Sequence, residues 1–360
     1  MLERLRDSCR QRGAQQAAQN WPNSWQRLLM MSSVSTVAIV GAGVSGLNCA
    51  KTLLAADLAV TVFEKSRGLG GRVATRRLEP GVTFDHGAQY FTARDELFRA
   101  QVDQWCTNEM ASLWQGRIVS LNHGNCSDLP ENQDRYVGVP TMNAIAKSLA
   151  AGLDVRTNVT VESLRRSDSN WYIEDTSGTC HGPYAALIST APPPQTQSLV
   201  GSFSPAISER ITKVTMAPCW AVMVQLHEPL VVPFDAAFVN DSALSWVARN
   251  SSKPGRSIAE SWVLHASASW SRGHLDESAD DIALALIEEF WEATRVTPQA
   301  PAMLLAHRWR YALPEEPLSK RYVLDWDCKL GVCGDWCGGP RVEGAYLSGL
   351  ALAEALLAAS

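Results

Sequence analysis

The chain has 360 residues, 46% hydrophobic and 19% charged, a globular composition on a length that calls for two structural units. A net charge of −5 leaves no electrostatic footprint for nucleic acid. No apolar run approaches the roughly 18 residues that cross a bilayer, so no membrane partner is expected. The nine cysteines are odd in number and scattered. They read as reduced thiols of a cytoplasmic protein, not as a secreted disulfide framework. Cys333 and Cys337 are four apart, but the histidines supply no further ligands at zinc spacing, so no metal is expected.

Residues 1–33 are rich in Gln, Arg and Ala and contain no signal-peptide core. They read as a disordered extension, or as an upstream start with Met31 the native one. Val37–Val40 is a short apolar run that predicts a buried strand. Gly41-Ala-Gly43-Val-Ser45-Gly46 follows at once, and Leu47–Ala56 predicts a helix with Leu47, Ala50, Leu53 and Leu54 on one face. A Gly-x-Gly-x-x-Gly between strand and helix is a dinucleotide fingerprint in its confirming context. Gly41 permits the turn, Gly43 lets backbone approach a pyrophosphate, and Gly46 lets the helix pack closely. Ser45 belongs to the same loop, whose helix N-terminus offers free N–H groups to phosphate. Val60–Phe63 predicts a second strand ending at Glu64, whose carboxylate suits ribose hydroxyls and repels a 2′-phosphate.

Lys65-Ser-Arg67-Gly-Leu-Gly70-Gly71-Arg72 is a second glycine-rich loop, basic and suited to the pyrophosphate. Ala191-Pro-Pro-Pro194 is stiff punctuation, expected to mark a crossing between domains. Beyond it, Trp220–Leu226 and Ser257–His265 predict strands, and Asp276–Thr294 predicts a helix. Near the end, Leu330–Cys333 predicts a buried strand, followed by Gly334-Asp335 and a helix over Gly344–Ala359. Asp335 could accept hydrogen bonds from a ribityl chain, and the helix would turn its positive end to a flavin carbonyl. Three such pieces favour FAD over NAD. The expected fold class is α/β: a discontinuous Rossmann-type FAD-binding domain (34–95, 136–194 and 318–360) with an inserted mixed-sheet substrate domain (96–135 and 195–317).

Longer strings carry a resemblance. Ser66–Arg72, Gly87-Ala-Gln-Tyr-Phe-Thr-Ala-Arg-Asp95, Trp262-Val-Leu-His265 with Trp270-Ser271, His307-Arg-Trp309, and Gly334-Asp-Trp-Cys337 followed by Arg341-Val-Glu-Gly-Ala345 resemble the bacterial-type renalases, within the flavin amine oxidase superfamily. The resemblance covers nearly everything from Val34 onward. It implies a p-hydroxybenzoate-hydroxylase-like fold and FAD. It implies oxidation of misreduced dihydronicotinamide dinucleotides, the 6- or 2-dihydro forms of NAD(P), with hydride passing to flavin N5. Oxygen would then be the acceptor, giving NAD(P)+ and hydrogen peroxide. The bacterial-type likeness leans towards the 6-dihydro isomer. The cysteine motif of covalent flavin attachment is missing, so noncovalent FAD is expected.

By the same resemblance, Tyr90, His265 and Trp309 orient the substrate ring, and Val161 lies against the adenine. Arg341, Val342 and Gly344 join the cofactor-binding set. A dihydropyridine loses hydride to become an aromatic ring, so the step needs positioning and no general base. Thr141 departs from the family pattern, which has Gly there, and this bears on pocket shape. Two other functions stay open: oxidation of amines, and a non-catalytic flavoprotein. Against the first, no lysine falls in a segment matched to the flavin-contacting lysine of that branch. Against the second, the binding glycines, Glu64 and Asp335 are all present. Nothing in the sequence indicates an oligomeric state.

Overall fold

The computed structural model describes residues 34–78, 81–130 and 133–358, so the 1–33 extension lies outside the described residues. In chain order, the first half holds β1 (Thr36–Val40), α1 (Val44–Ala55), β2 (Ala59–Glu64), β3 (Arg76–Leu78), β4 (Val82–Phe84), α2 (Glu96–Thr107), β5 (Ala111–Leu113), β6 (Ile118–Asn122), β7 (Asn125–Asp128), β8 (Tyr136–Gly138), α3 (Ala144–Ala150), β9 (Asp154–Thr157), β10 (Val161–Ser167), β11 (Asn170–Asp175), β12 (Cys180–Tyr184) and β13 (Ala186–Ser189). The second half holds α4 (Pro193–Val200), α5 (Pro205–Ile211), β14 (Met216–Leu226), β15 (Ala236–Val239), β16 (Leu244–Arg249), β17 (Ser261–Ala266), α6 (Ala268–Gly273), α7 (Ala279–Thr294), β18 (Pro301–Pro314), β19 (Tyr322–Asp325), β20 (Leu330–Cys333) and α8 (Arg341–Ala358). Among the described residues, no helix is long and apolar enough to cross a membrane.

Six strands make the first large sheet, in the order β19-β20-β13-β1-β2-β9. All neighbours run parallel except the edge strand β19. Parallel strands are covered on both faces, which is why β1 and β20 are continuous apolar runs. On one face α8 lies along α1: Asn48 Nδ2 donates to the Tyr346 carbonyl at 2.9 Å, and a Cβ on Gly349 would fall on the Ser45 carbonyl. Glycine here buys the close approach that holds the C-terminal helix against the first turn of α1.

The second large sheet has seven strands in the order β18-β14-β17-β16-β15-β6-β7, antiparallel except for the β15–β6 pair. Its strands alternate. Trp220, Val222, Val224, Trp262 and Leu264 face α7, where they meet Leu286 and Phe290. The opposite residues face the first unit.

Several expectations shift. Ala191–Pro194 was expected as a crossing; instead Pro193 opens α4, at a position where a missing N–H leaves no bond unmade. Residues 96–113 were expected in the substrate domain, yet Phe98, Val102 and Trp105 of α2 share a core with Leu47, Phe91 and Tyr346. Val200, Ile207 and Ile211 of α4 and α5 likewise pack with Trp171 and Leu187. The reason is the same in both cases: an amphipathic face joins the apolar surface nearest to it in space, whatever its neighbours in sequence. The helix expected from Asp276 begins at Ala279, where the Ser278 hydroxyl accepts from the Asp281 N–H as an N-cap. The last helix begins at Arg341, three residues before the expected start.

Candidate active site

The fingerprint turn is built as its glycines require. Gly41 has φ +108°, and its N–H donates to the Phe63 carbonyl at 2.8 Å. A Cβ on Gly46 would fall on the Gly41 carbonyl oxygen, so this glycine is fixed by protein packing. Gly43 differs: no protein atom lies within 4 Å of where its Cβ would be, and its φ of −77° suits any residue. Gly43 caps α1 with no side chain, leaving the first N–H groups of the helix for a ligand. The buried Glu64 carboxylate accepts from the Ala42 N–H (2.9 Å) and the Ser66 N–H (2.8 Å). Each oxygen keeps a second lone pair for a hydroxyl.

Gly70 N–H donates to the Ala42 carbonyl at 2.9 Å, so the second glycine-rich loop is tied directly to the first. Lys65 and Arg67 stand exposed on it. Val159 N–H donates to the Glu64 carbonyl (3.0 Å), which puts Val161, at the start of β10, beside the Glu64 end of β2. Arg72 and Asp335 pair with each other, two nitrogens on two oxygens, both at 2.7 Å. Gly334 N–H donates to the Ser348 hydroxyl (2.8 Å), and a Cβ on Gly344 would fall on the Gly339 carbonyl. The Ser45 hydroxyl donates inward to Cys333 Sγ at 3.2 Å. Arg341 opens α8 with φ +92°, a strained value for a side-chain-bearing residue.

A cavity of about 580 Å³ lies between this apparatus and the seven-stranded sheet. The first unit contributes Val44, Gly70, Gly71's neighbour Arg72, Asp335, Arg341 and Val342 to its wall. The sheet contributes Cys219, Phe238, Trp246, His265 and Trp309. Register explains the sheet's set. Ala221 pairs with His265, His265 with Trp246, and Cys219 with Trp309, so alternate residues on neighbouring strands present one face. Tyr90 enters from the turn after β4 and packs on Trp246, ring centroids 5.5 Å apart.

Tyr90, His265 and Trp309, distant in sequence, thus meet in one cavity. One peptide joins two of them: the His86 carbonyl accepts from His265 Nε2 (3.2 Å) and from Trp309 Nε1 (2.9 Å). The His86 ring stacks on Trp309 with centroids 5.0 Å apart. Burial pulls His265 down to about 4, and burial with the neighbouring His307 pulls His86 down to about 3. Both are neutral imidazoles near pH 7.

Residues 39–105 match the NAD(P)-binding Rossmann-like domain, and residues 111–357 match the flavin containing amine oxidoreductase family. The chain belongs to the flavin containing amine oxidoreductases. The fold is shared with a candidate protoporphyrinogen oxidase from Exiguobacterium sp. 255-15, at 14% identity and a TM-score of 0.74, covering 91% of this chain and 100% of that one. It is shared also with wild-type putrescine oxidase bound to putrescine, at 13% identity and a TM-score of 0.67, covering 90% of this chain and 99% of that one. The cofactor of this flavoprotein is FAD. The residues fit it: an uncapped helix N-terminus, a Gly43 cradle that a Cβ would fill, and a carboxylate with spare lone pairs.

Thr141, the departure from the family pattern, does not reach the cavity wall. Its hydroxyl donates to Asn143 Oδ1 at 2.8 Å within its own loop. Sequence reasoning missed Trp246, Phe238, Cys219 and Gln89 in the wall. Gln89 lies within the Gly87–Asp95 string, which by itself gives the amide no role. Trp246 and Phe238 alternate correctly for strand residues, but nothing local to them says which face of the sheet lines the cavity.

Proposed function

We propose that this oxidoreductase removes hydride from misreduced dihydronicotinamide dinucleotides, the 6- or 2-dihydro forms of NAD(P), with oxygen as final acceptor and NAD(P)+ and hydrogen peroxide as products. The observation that carries this reading is the cavity wall: aromatic side chains with a neutral histidine, and no unpaired carboxylate. Tyr90, Trp246, Phe238 and Trp309 offer flat apolar surface for a planar ring. Among the described lining residues the one carboxylate is Asp335, and Arg72 occupies both its oxygens. The wall therefore offers no unpaired anion to a cationic amine.

FAD, when bound, supplies the two-electron acceptor. The protein's part is orientation. His265 Nε2 donates to the His86 carbonyl, which fixes the ring plane and, in the neutral form, leaves Nδ1 without a proton. Trp309 is held by the same carbonyl. Loss of hydride turns the dihydropyridine into a cation, and a wall whose one carboxylate is paired with Arg72 gives that product no stabilising counter-charge, which favours its release. Apolar walls also exclude water from the reacting face. The reading is tested by mixing the oxygen-free yellow protein with 6- and 2-dihydro-NAD and following the flavin absorption. Bleaching by either isomer supports it. Bleaching by amines and by neither isomer replaces it with amine oxidation.

A further inference from the structure

A buried cation stands directly behind the cavity wall. The side chains of Lys253, Asp85 and Arg256 are 0%, 1% and 1% exposed. The Asp85 carboxylate is already met. It accepts from Thr75 Oγ1 (2.8 Å) and the Met142 N–H (3.0 Å) on one oxygen, and from Arg256 Nε (3.1 Å) and Nη2 on the other. Lys253 thus brings a second positive charge to a single negative one. Burying an ion without its own counter-ion is costly, so the ammonium must be judged by what it holds. Its Nζ is 3.9 Å from Asp85 Oδ2, but its short bond, 3.0 Å, goes to a neutral group, Gln89 Oε1.

Gln89 is a wall residue of the cavity. Its Nε2 donates to the carbonyls of Asp85 and Gly87 (3.1 Å to the latter). The amide is therefore clamped at both ends, between Lys253 and the turn that runs from Asp85 to Tyr90. That same turn carries the His86 carbonyl on which His265 and Trp309 hang. We propose that Lys253 is a positioning residue for the reaction in the cavity: through Gln89 it holds the Asp85–Tyr90 turn, and with it Tyr90, His265 and Trp309, in the geometry that orients the substrate ring.

Burial draws the Lys253 ammonium down to about 7. The charged and titratable groups facing it are Asp85 from the end of β4, Arg256 from its own loop, and His265 from β17. Above neutral pH the link to Gln89 loses its charge assistance and weakens.

The test is a double-mutant cycle on the FAD-loaded full chain, with Lys253→Met, Gln89→Met and the pair. Two properties are read: the rate of anaerobic bleaching by 6-dihydro-NAD, and the visible circular dichroism of the bound flavin without substrate. Each single change is expected to slow bleaching by about tenfold, a sub-ångström loss of alignment. The pair is expected to be no slower than the worse single, because one linkage is cut twice. The wild-type dichroism is expected to change with a midpoint near pH 7, and both single variants to lack that change. Additive losses, or variants that match the wild type in both properties, overturn the proposal. Should Lys253→Met fail to fold, Gln89→Met keeps the buried charge intact and must reproduce the predicted rate loss and flat dichroism titration by itself. The proposal rests on the function reading only for the choice of donor. A wild-type protein that neither the 6- nor the 2-dihydro isomer bleaches removes that reading, and the dichroism cycle then decides on the clamp alone: coupled changes support it, additive ones overturn it.

Discussion

The proposed phosphate end and the proposed ring end of this site are built by opposite means. At the phosphate end, one contiguous stretch from Gly41 to Arg72 supplies both glycine loops and the carboxylate, using mostly backbone. At the ring end, five strands and one turn each contribute residues, and the sheet register assembles them. Local backbone geometry makes the first robust to its surroundings and readable from a short string. The second exists only once distant strands have paired, so its residues are exchangeable one at a time and can change the chemistry while leaving the cofactor in place.

The largest expected effect separates two glycines of the fingerprint. Gly46→Ala places a Cβ on the Gly41 carbonyl and is expected to abolish soluble, folded protein. Gly43→Ala meets open space, so far-ultraviolet circular dichroism of the apoprotein should match the wild type. FAD affinity, measured by titration of that apoprotein, should fall on the order of 100-fold, because the added methyl stands where phosphate approaches. Equal FAD affinity in Gly43→Ala would break the assignment of the phosphate end.

Next in size is the ring end. His265→Ala should keep FAD bound and slow flavin bleaching by about 10- to 100-fold in stopped-flow traces, since Trp309 alone then hangs on the His86 carbonyl. Unchanged bleaching would remove His265 from the site. Between the two ends lies the Arg72–Asp335 pair. Arg72→Met strands a carboxylate whose side chain is 8% exposed, and should cost about 3 kcal/mol in urea unfolding, whereas changing both partners together should cost less.

The smallest effect is a pH slope. His86 and His265 hold folded-state values of about 3 and about 4, below their ordinary 6.5. The unfolded chain binds more protons across that interval, so stability is complete above pH 6.5 and declines as pH falls towards 4. Urea midpoints taken between pH 7 and 4.5 should fall, and fall less steeply in His265→Asn. Lys253 acts in the opposite range: its value near 7 lies below that of an unfolded lysine, so stability rises with pH from 7 towards 10 in the wild type and not in Lys253→Met.

These contrasts explain what was legible in the sequence. The turn built by Gly41, Gly43 and Gly46 and the strand end at Glu64 were legible from spacing, because backbone turns leave local signatures. Tyr90, His265 and Trp309 came only through longer strings, and they do meet in the cavity. Trp246 and Phe238 could not be found, because alternation tells that a residue faces one side of a sheet and not which side lines the cavity. Lys253 has no local signature for a related reason: it sits in a polar stretch, Asn250–Arg256, with no apolar pattern to mark burial, and docking against β4 through Asn250 buries it. The placement of α2 outside its expected domain has the same origin, since its apolar face is visible in sequence but its partner surface is not.

The proposed function turns on an aromatic wall that presents a dihydronicotinamide ring to the flavin. The most direct measurement is anaerobic stopped-flow mixing of the purified yellow protein with 6-dihydro-NAD. Rapid bleaching of the flavin band is expected, reversed on admitting air with hydrogen peroxide formed. A flavin band untouched by both the 6- and the 2-dihydro isomer, in protein that retains its FAD, would contradict it.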